Sequence, residues 1–168
     1  MSRSLSWRSL ANLTLQLAVL TLLIAAFFIR MPQVSGLSMA PHIASGEYVL
    51  INTFAYRIAK PKRGDIVAFR RDGDARVFIK RVVGLPGDRI GVNAGRVTIG
   101  GRRLDEPYVR FPDDRSFGEI VVPPASVYVL GDNRADSEDS RVFGPVPEQR
   151  LIGRALAGIW PPADVGTL

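Results

Sequence analysis

Two residues of this chain are placed to do chemistry together, Ser38 and Lys80. Ser38 lies in Ser35-Gly36-Leu37-Ser38-Met39-Ala40-Pro41, a small-residue turn that presents one hydroxyl beside an unbranched hydrophobe. Lys80 lies in Phe78-Ile79-Lys80-Arg81-Val82-Val83, an apolar, strand-like run. A serine hydroxyl needs a base to become a nucleophile, and a desolvated amine is one of the few groups that can act as one. Alternate residues of a strand share a face. Lys80 would therefore sit with Phe78 and Val82, while Val77, Ile79, Arg81 and Val83 face the other way. Burial on such a face lowers a lysine's pKa, and a neutral amine can take a proton from a hydroxyl. Ordinary roles compete with this one. A lysine stem can cross apolar surface with its head in water, and a turn serine can simply cap a helix.

Composition narrows the field. The chain has no cysteine and one histidine, His42, so a thiol nucleophile and a thiolate or multi-histidine zinc site are excluded. His42 follows Ser38 by four residues and leaves a Ser-His-Asp triad open, since triad partners come in any chain order. Its more ordinary role is a loop residue bonded locally. A third constellation, Gly131-Asp132-Asn133-Arg134-Ala135-Asp136-Ser137-Glu138-Asp139-Ser140-Arg141, follows the apolar run Ser126–Leu130. Its carboxylates lack the glycine and terminal glutamate of an EF-hand loop. It reads either as a solvated turn or as a scaffold in which Asp139 pairs with Arg141.

The elements that must position these groups are mostly strands. Residues 47–52, 65–69, 77–83, 96–99 and 126–130 are apolar runs bounded by turn residues. Gly100-Gly101 joins two short runs as a hairpin. Residues 105–124 are rich in Pro and Asp and read as irregular, and residues 151–160 fit a strand at least as well as a helix. Ahead of all this, Leu10 to Ile29 is an uncharged run without Gly or Pro. As a helix it would span about 30 Å, the thickness of a hydrocarbon core. It is longer than a secretory leader's apolar region and ends in large residues, Phe27-Phe28-Ile29, which favours an uncleaved anchor. Arg3 and Arg8 before the run outweigh Arg30 after it, placing the amino terminus in the cytoplasm and the main domain across the membrane. The formal charge of +6 over 168 residues is scattered, with no nucleic-acid module.

Taken together, Ser35–Pro41, Arg63-Gly64-Asp65-Ile66-Val67-Ala68-Phe69, Lys80-Arg81-Val82-Val83-Gly84-Leu85-Pro86-Gly87-Asp88 and Gly131–Arg141 resemble the ordered boxes of bacterial type I signal peptidases. The preceding apolar run fits the same pattern. The resemblance covers roughly residues 10–160. It implies a mostly-β fold: a signal-peptidase-like β-core with a small β insertion, preceded by one N-terminal transmembrane helix. The expected layout is a cytoplasmic segment 1–9, an anchor 10–29, a catalytic domain 32–160 with its insertion near 90–124, and a tail 161–168.

The resemblance also implies roles. Ser38 would be the nucleophile and Lys80 the general base. Ser137 would hydrogen-bond and orient the lysine amine. Asp139 and Arg141 would brace the site, and Asp132, Asn133 and Arg134 would hold the same loop. Met39, Phe78 and Ile79 would line shallow pockets for small substrate residues. Some members carry a serine two residues before the nucleophile. Gly36 stands there in this chain, as in other members, so backbone N–H groups, including that of Ser38, would do more of the oxyanion work. A threonine often follows the proline of the first box, and His42 replaces it.

The expected substrates are the signal peptides of exported preproteins, cut at the outer face of the bacterial cytoplasmic membrane by a single-pass enzyme in contact with membrane lipid. Neither cofactor nor metal is implied, nor nucleic acid as a partner, and the expected state is a monomer. A specialised serine–lysine maturase, of conjugative-transfer or pilin-processing type, would carry similar boxes. A peptide-binding β domain with a dead site is disfavoured by the presence of both Ser38 and Lys80.

Overall fold

The structure is a computed structural model and describes residues 7–160 and 166–167. Its elements are α1 (Trp7–Phe28), β1 (Ile29–Arg30), β2 (Tyr48–Asn52), α2 (Ala55–Ile58), β3 (Ile66–Arg70), β4 (Val77–Gly84), β5 (Arg89–Asn93), β6 (Arg96–Ile99), β7 (Arg102–Arg103), β8 (Phe117–Val121), β9 (Ser126–Leu130), α3 (Ser140–Phe143), β10 (Val146–Pro147), β11 (Leu151–Trp160) and β12 (Gly166–Thr167). The main sheet runs β1-β2-β11-β3-β4-β9-β10, with β12 added on β11. A second sheet, β7-β6-β5-β8, is formed by residues between 89 and 121.

Strand periodicity sorts the core into layers. Ile66 and Ala68 of β3 join Met39, Ile43, Val49, Ile51 and Ile79 on one face of the main sheet. Val67 and Phe69 alternate onto the other face with Val82, Val127, Val129 and Val146. The central strands are thus covered on both sides, which explains why β3 and β9 read as continuous apolar runs. A third cluster, Val83, Ile90, Val92, Val97, Val122, Tyr128 and Leu130, ties the second sheet to the end of β4 and β9. At Gly84, where β4 leaves the main sheet, a Cβ would lie 2.9 Å from both Ile90 and Tyr128. Only a glycine lets the two sheets approach so closely there.

Three expectations change. Residues 105–124 are not wholly irregular, because β8 forms within them and pairs with β5. Phe117 and Ile120 are half-buried and the other three residues exposed, so Gly118 and Glu119 break the alternation a strand would show. The short strand β5 also went unread, being split by Gly91. At the expected tail, Gly166 and Thr167 form β12 against β11. Residues 161–165 and 168, and the first six residues, lie outside the described ones.

Of the anchor expected over 10–29, only the helix itself is borne out. It runs, as α1, over the 22 residues Trp7–Phe28, but among the described residues no helix is long and apolar enough to cross a membrane. Asn12, Thr14, Gln16 and Thr21 interrupt its apolar sequence. The helix is joined to the sheet at its end. The Phe28 carbonyl accepts from both the amide and the hydroxyl of Thr53, each at 2.9 Å, and the Phe28 and Phe54 rings lie 4.8 Å apart. These bonds satisfy one of the carbonyls a helix end leaves open.

Gly153 of β11 shows how closely the main sheet is built. A Cβ there would lie 2.3 Å from the Asn52 carbonyl oxygen of β2, which is backbone and cannot swing aside. Gly153→Ala is expected to destabilise the fold by about 1–3 kcal/mol, as overpacking does. Urea unfolding followed by circular dichroism would read this as a lower midpoint at unchanged slope.

Candidate active site

The Ser38 segment is a run of turns pinned from both sides. Gly36 has φ +104°, in the left-handed region that favours glycine, and the Ala40 amide closes a turn on the Leu37 carbonyl at 3.0 Å. Met39, only 2 % exposed, plugs into the core beside Ile43 and Ile79, which fixes its neighbour Ser38 over the sheet. From the other side Asn133 holds the same turn. Its amide donates to the Ser38 carbonyl at 3.0 Å and its side-chain nitrogen to the Leu37 carbonyl at 3.2 Å.

Lys80 reaches this turn from the middle of β4. Its Nζ donates to Ser38 Oγ at 2.6 Å, and the residue is 4 % exposed. Burial pushes the amine down from its ordinary 10.5 to about 8, against the opposing pull of the Asp139, Glu138 and Asp132 charges. A lysine so placed is largely desolvated and already bonded to the hydroxyl it would deprotonate.

The loop after β9 surrounds this pair with buried ions. Asp132 takes two bonds from Arg81, at 2.8 and 2.6 Å, and Arg81 also donates to the Gly64 carbonyl at 3.0 Å. Asp139 caps α3 and takes two bonds from the Arg141 guanidinium, at 2.8 and 2.7 Å, and one from the Gly131 amide at 3.1 Å. Burial would raise the Asp139 carboxyl, but Arg141 and the Gly131 amide outweigh it and hold it below its ordinary value. Arg134 bonds the Gly131 carbonyl at 2.9 Å and forks onto Glu106 at 2.5 and 3.2 Å. Bidentate pairs of this kind fix orientation as well as charge.

The structure thus brings Ser38, Lys80, Asp132, Asn133, Arg134, Asp139 and Arg141 into one assembly. Two expected details do not appear. The Ser137 hydroxyl is buried and, among the described residues, makes no hydrogen bond to the Lys80 amine. The amide of Gly36 is taken up by Ser45 Oγ at 3.2 Å, so it does not stand open to an oxyanion. The Ser38 amide, by contrast, has no acceptor among the described residues. His42 forms no bond to Ser38. Its Nδ1 lies 3.3 Å from Asp132, which leaves Lys80 as the group on the hydroxyl.

A cleft of about 300 Å³ opens onto Ser38 and Lys80, lined by Pro32 to Ser35, Met39 and Arg76 to Ile79. Met39, Phe78 and Ile79 all reach it. Met39 and Ile79 are core residues, however, and Phe78 stacks on Phe69 with ring centroids 5.7 Å apart. They form the floor of the cleft more than separate pockets. Glu106 and Asp113 belong to the site and went unnoticed in the sequence, and Gly131 was read only as the start of the loop. The two acids sit in the Pro- and Asp-rich stretch, which reads as solvated, yet Asp113 accepts from Arg141 at 2.6 Å. Gly131 marks a close approach: a Cβ would lie 2.3 Å from Ser137 Oγ and 2.5 Å from the Ser38 carbonyl oxygen. A glycine ending an apolar strand was the signal available for it.

A half-buried hydroxyl bonded to a buried amine, held on a β frame by ion pairs, is the apparatus of a serine–lysine hydrolase. Comparison with known proteins supplies the family. The family described as "Signal peptidase, peptidase S26" matches residues 7–160. The chain is 38% identical over 158 residues to Signal peptidase I of Leptolyngbya laminosa, covering 89% of this chain and 78% of that one. It is 35% identical over 169 residues to the Probable signal peptidase I-2 of Synechocystis, covering 97% and 78%. A crystal structure of a signal peptidase I from Enterococcus faecalis superposes with a TM-score of 0.50 at 31% identity, covering 58% of this chain and 97% of that one. The chain belongs to the signal peptidase family and is a serine endopeptidase.

Because Gly131 touches the backbone of Ser38, Gly131→Ala should displace Ser38 while leaving the fold in place. A misplacement near 1 Å costs about a hundredfold in rate. We expect kcat/KM for a preprotein to fall by about that factor, with circular dichroism unchanged.

Proposed function

We propose that this chain removes signal peptides from exported preproteins, with Ser38 as nucleophile and Lys80 as general base. The 2.6 Å contact between Lys80 Nζ and Ser38 Oγ carries the reading. Lys80 takes the hydroxyl proton as Ser38 attacks the scissile carbonyl, then gives it to the leaving amine. A water activated by the same amine releases the acyl group. The Ser38 amide is the donor available to the oxyanion, and Met39, Phe78 and Ile79 form the surface under the substrate. Asp132, Asn133, Arg134, Asp139 and Arg141 act as positioning residues, and Ser137 packs beneath Gly131.

The substrate would bind as an extended strand. β3 pairs with β4 from Val77 through Arg81, whereas β9 pairs only with Arg81, Val82 and Gly84. Residues 77–80 therefore present an open edge toward the cleft, suited to strand addition.

Attachment to a membrane completes the reading. Leu10, Leu13, Leu15, Leu17, Leu20, Leu22 and Leu23 of α1 are all exposed, so the helix offers these apolar side chains to its surroundings rather than to the fold. The sequence is apolar without interruption from Leu22 to Ile29. We read α1 as a single-pass anchor with the catalytic domain on the outer side, where signal peptides emerge.

Ser38→Ala and Lys80→Ala should each lower preprotein cleavage in detergent by at least about a thousandfold, as loss of a nucleophile or base does. Near-normal turnover by either variant would overturn the assignment. The pH profile follows from the base. Lys80 works only when neutral, and its pKa lies at about 8. In kcat/KM the expected dependence is a tenfold rise per pH unit below about 8 and a plateau above it. A bell centred below pH 7 would contradict a lysine base.

A further inference from the structure

The basic residues around the site are paired, and several elsewhere on the described surface are not. Those around the site are bonded to carboxylates, as Arg81, Arg134 and Arg141 are. A second group gathers just past the end of α1: Arg57, Lys60 and Lys62, all exposed and, among the described residues, in no ion pair. Two of the three lysines in the whole chain are here. Between them Ile58 is 74 % exposed, an apolar side chain standing out of a one-turn helix. Arg57, Ile58 and Lys60 also line a hollow of about 290 Å³ with Tyr56, Ala59, Pro61 and Glu148.

The position of this group is fixed by the end of α1. Thr53 bonds the last helical carbonyl and Phe54 lies against Phe28, so α2 starts at the foot of the helix. We propose that Arg57, Lys60 and Lys62, with Ile58 inserted between them, bind the anionic headgroups of the bilayer that holds α1. The proposal rests on the membrane reading of α1 and deepens it. Unpaired cations around a protruding hydrophobe match a headgroup layer, phosphates outside and acyl chains beneath. They continue the surface that begins with the exposed apolar helix. A soluble acidic partner would leave Ile58 unexplained. Such contacts would fix the tilt of the catalytic domain over the lipid, and with it the direction in which the cleft opens.

The absence of cysteine makes a clean test. The full chain carries Ile58→Cys labelled with a polarity-sensitive fluorophore. It is mixed with vesicles of phosphatidylcholine alone or with phosphatidylglycerol added. Val121→Cys on β8 of the second sheet, also exposed, serves as the comparison position. The expected result is a blue shift at position 58 that requires phosphatidylglycerol, is reversed by high salt and is absent at position 121. Combining Arg57→Gln, Lys60→Gln and Lys62→Gln should weaken the lipid dependence by about a hundredfold, roughly fivefold per charge. Preprotein cleavage in detergent should be unchanged. An equal shift in neutral and anionic vesicles, or one that survives the triple substitution, overturns the proposal. A chain that sediments with both vesicles but shows no shift refutes it while leaving the anchor intact. A chain that sediments with neither refutes both. Cleavage in detergent reports separately on the serine–lysine reading.

Discussion

The site depends on one balance, the burial of Lys80 against the carboxylates around it. Desolvation favours the neutral amine, and Asp139, Glu138 and Asp132 favour the charged one. At an effective dielectric constant near 20, a single unit charge at about 4 Å is worth roughly 4 kcal/mol, or about three pKa units. One uncompensated carboxylate against the amine could therefore cancel the whole downward shift. The arginines prevent this. Arg81 occupies both oxygens of Asp132, and Arg141 occupies both oxygens of Asp139. The field of these two carboxylates is thus directed mostly at guanidinium groups. Buried ion pairs are poor evidence for stability. Here they let acidic residues brace a loop next to a base without protonating it.

The same loop sets the nucleophile. Gly131 and Asn133 touch the Ser38 turn directly, while Asp139 holds the Gly131 amide and Arg134 its carbonyl. Arg141 then reaches Asp113 and Arg134 reaches Glu106, both in the segment between β7 and β8. Residues in that segment are thus counter-ions of the site rather than decoration on it. The tie runs from the second sheet through two guanidinium groups, those of Arg134 and Arg141, to the serine backbone. A distortion of the second sheet would be felt at Ser38 through this route.

Much of this was legible in the sequence, for identifiable reasons. β3 and β9 are buried on both faces, and their unbroken apolar runs say so. Lys80 was conspicuous because a lysine in such a run has nowhere cheap to go. Features that depend on distant partners were not legible. Nothing local in Asp113 or Glu106 separates a buried counter-ion from a loop acid. The absence, among the described residues, of a bond from Ser137 to Lys80 and the use of the Gly36 amide by Ser45 follow from packing between segments far apart in the chain or across a turn. β5 and β8 were hidden by Gly91 and Gly118, which weaken strand patterns without preventing pairing. The apolar helix was visible as a helix. Its relation to a membrane is a question of surroundings that periodicity alone does not answer.

On the proposed reading, Lys80 lies within the strand that would receive the substrate, with a mechanistic consequence. The open edge of β4 ends at Lys80, and β9 begins to pair one residue later, at Arg81. A peptide added along this edge would be halted where β9 takes over, at the level of the amine and Ser38. Register along the edge and proximity to the nucleophile are then set by the same backbone, so that binding the extended chain also positions its carbonyl. The cleft floor formed by Met39 and Ile79 is core, unable to yield to large side chains without disturbing the packing that fixes Ser38. On the proposed reading, any selectivity for small residues beside the scissile bond and the placement of Ser38 would have a common physical origin.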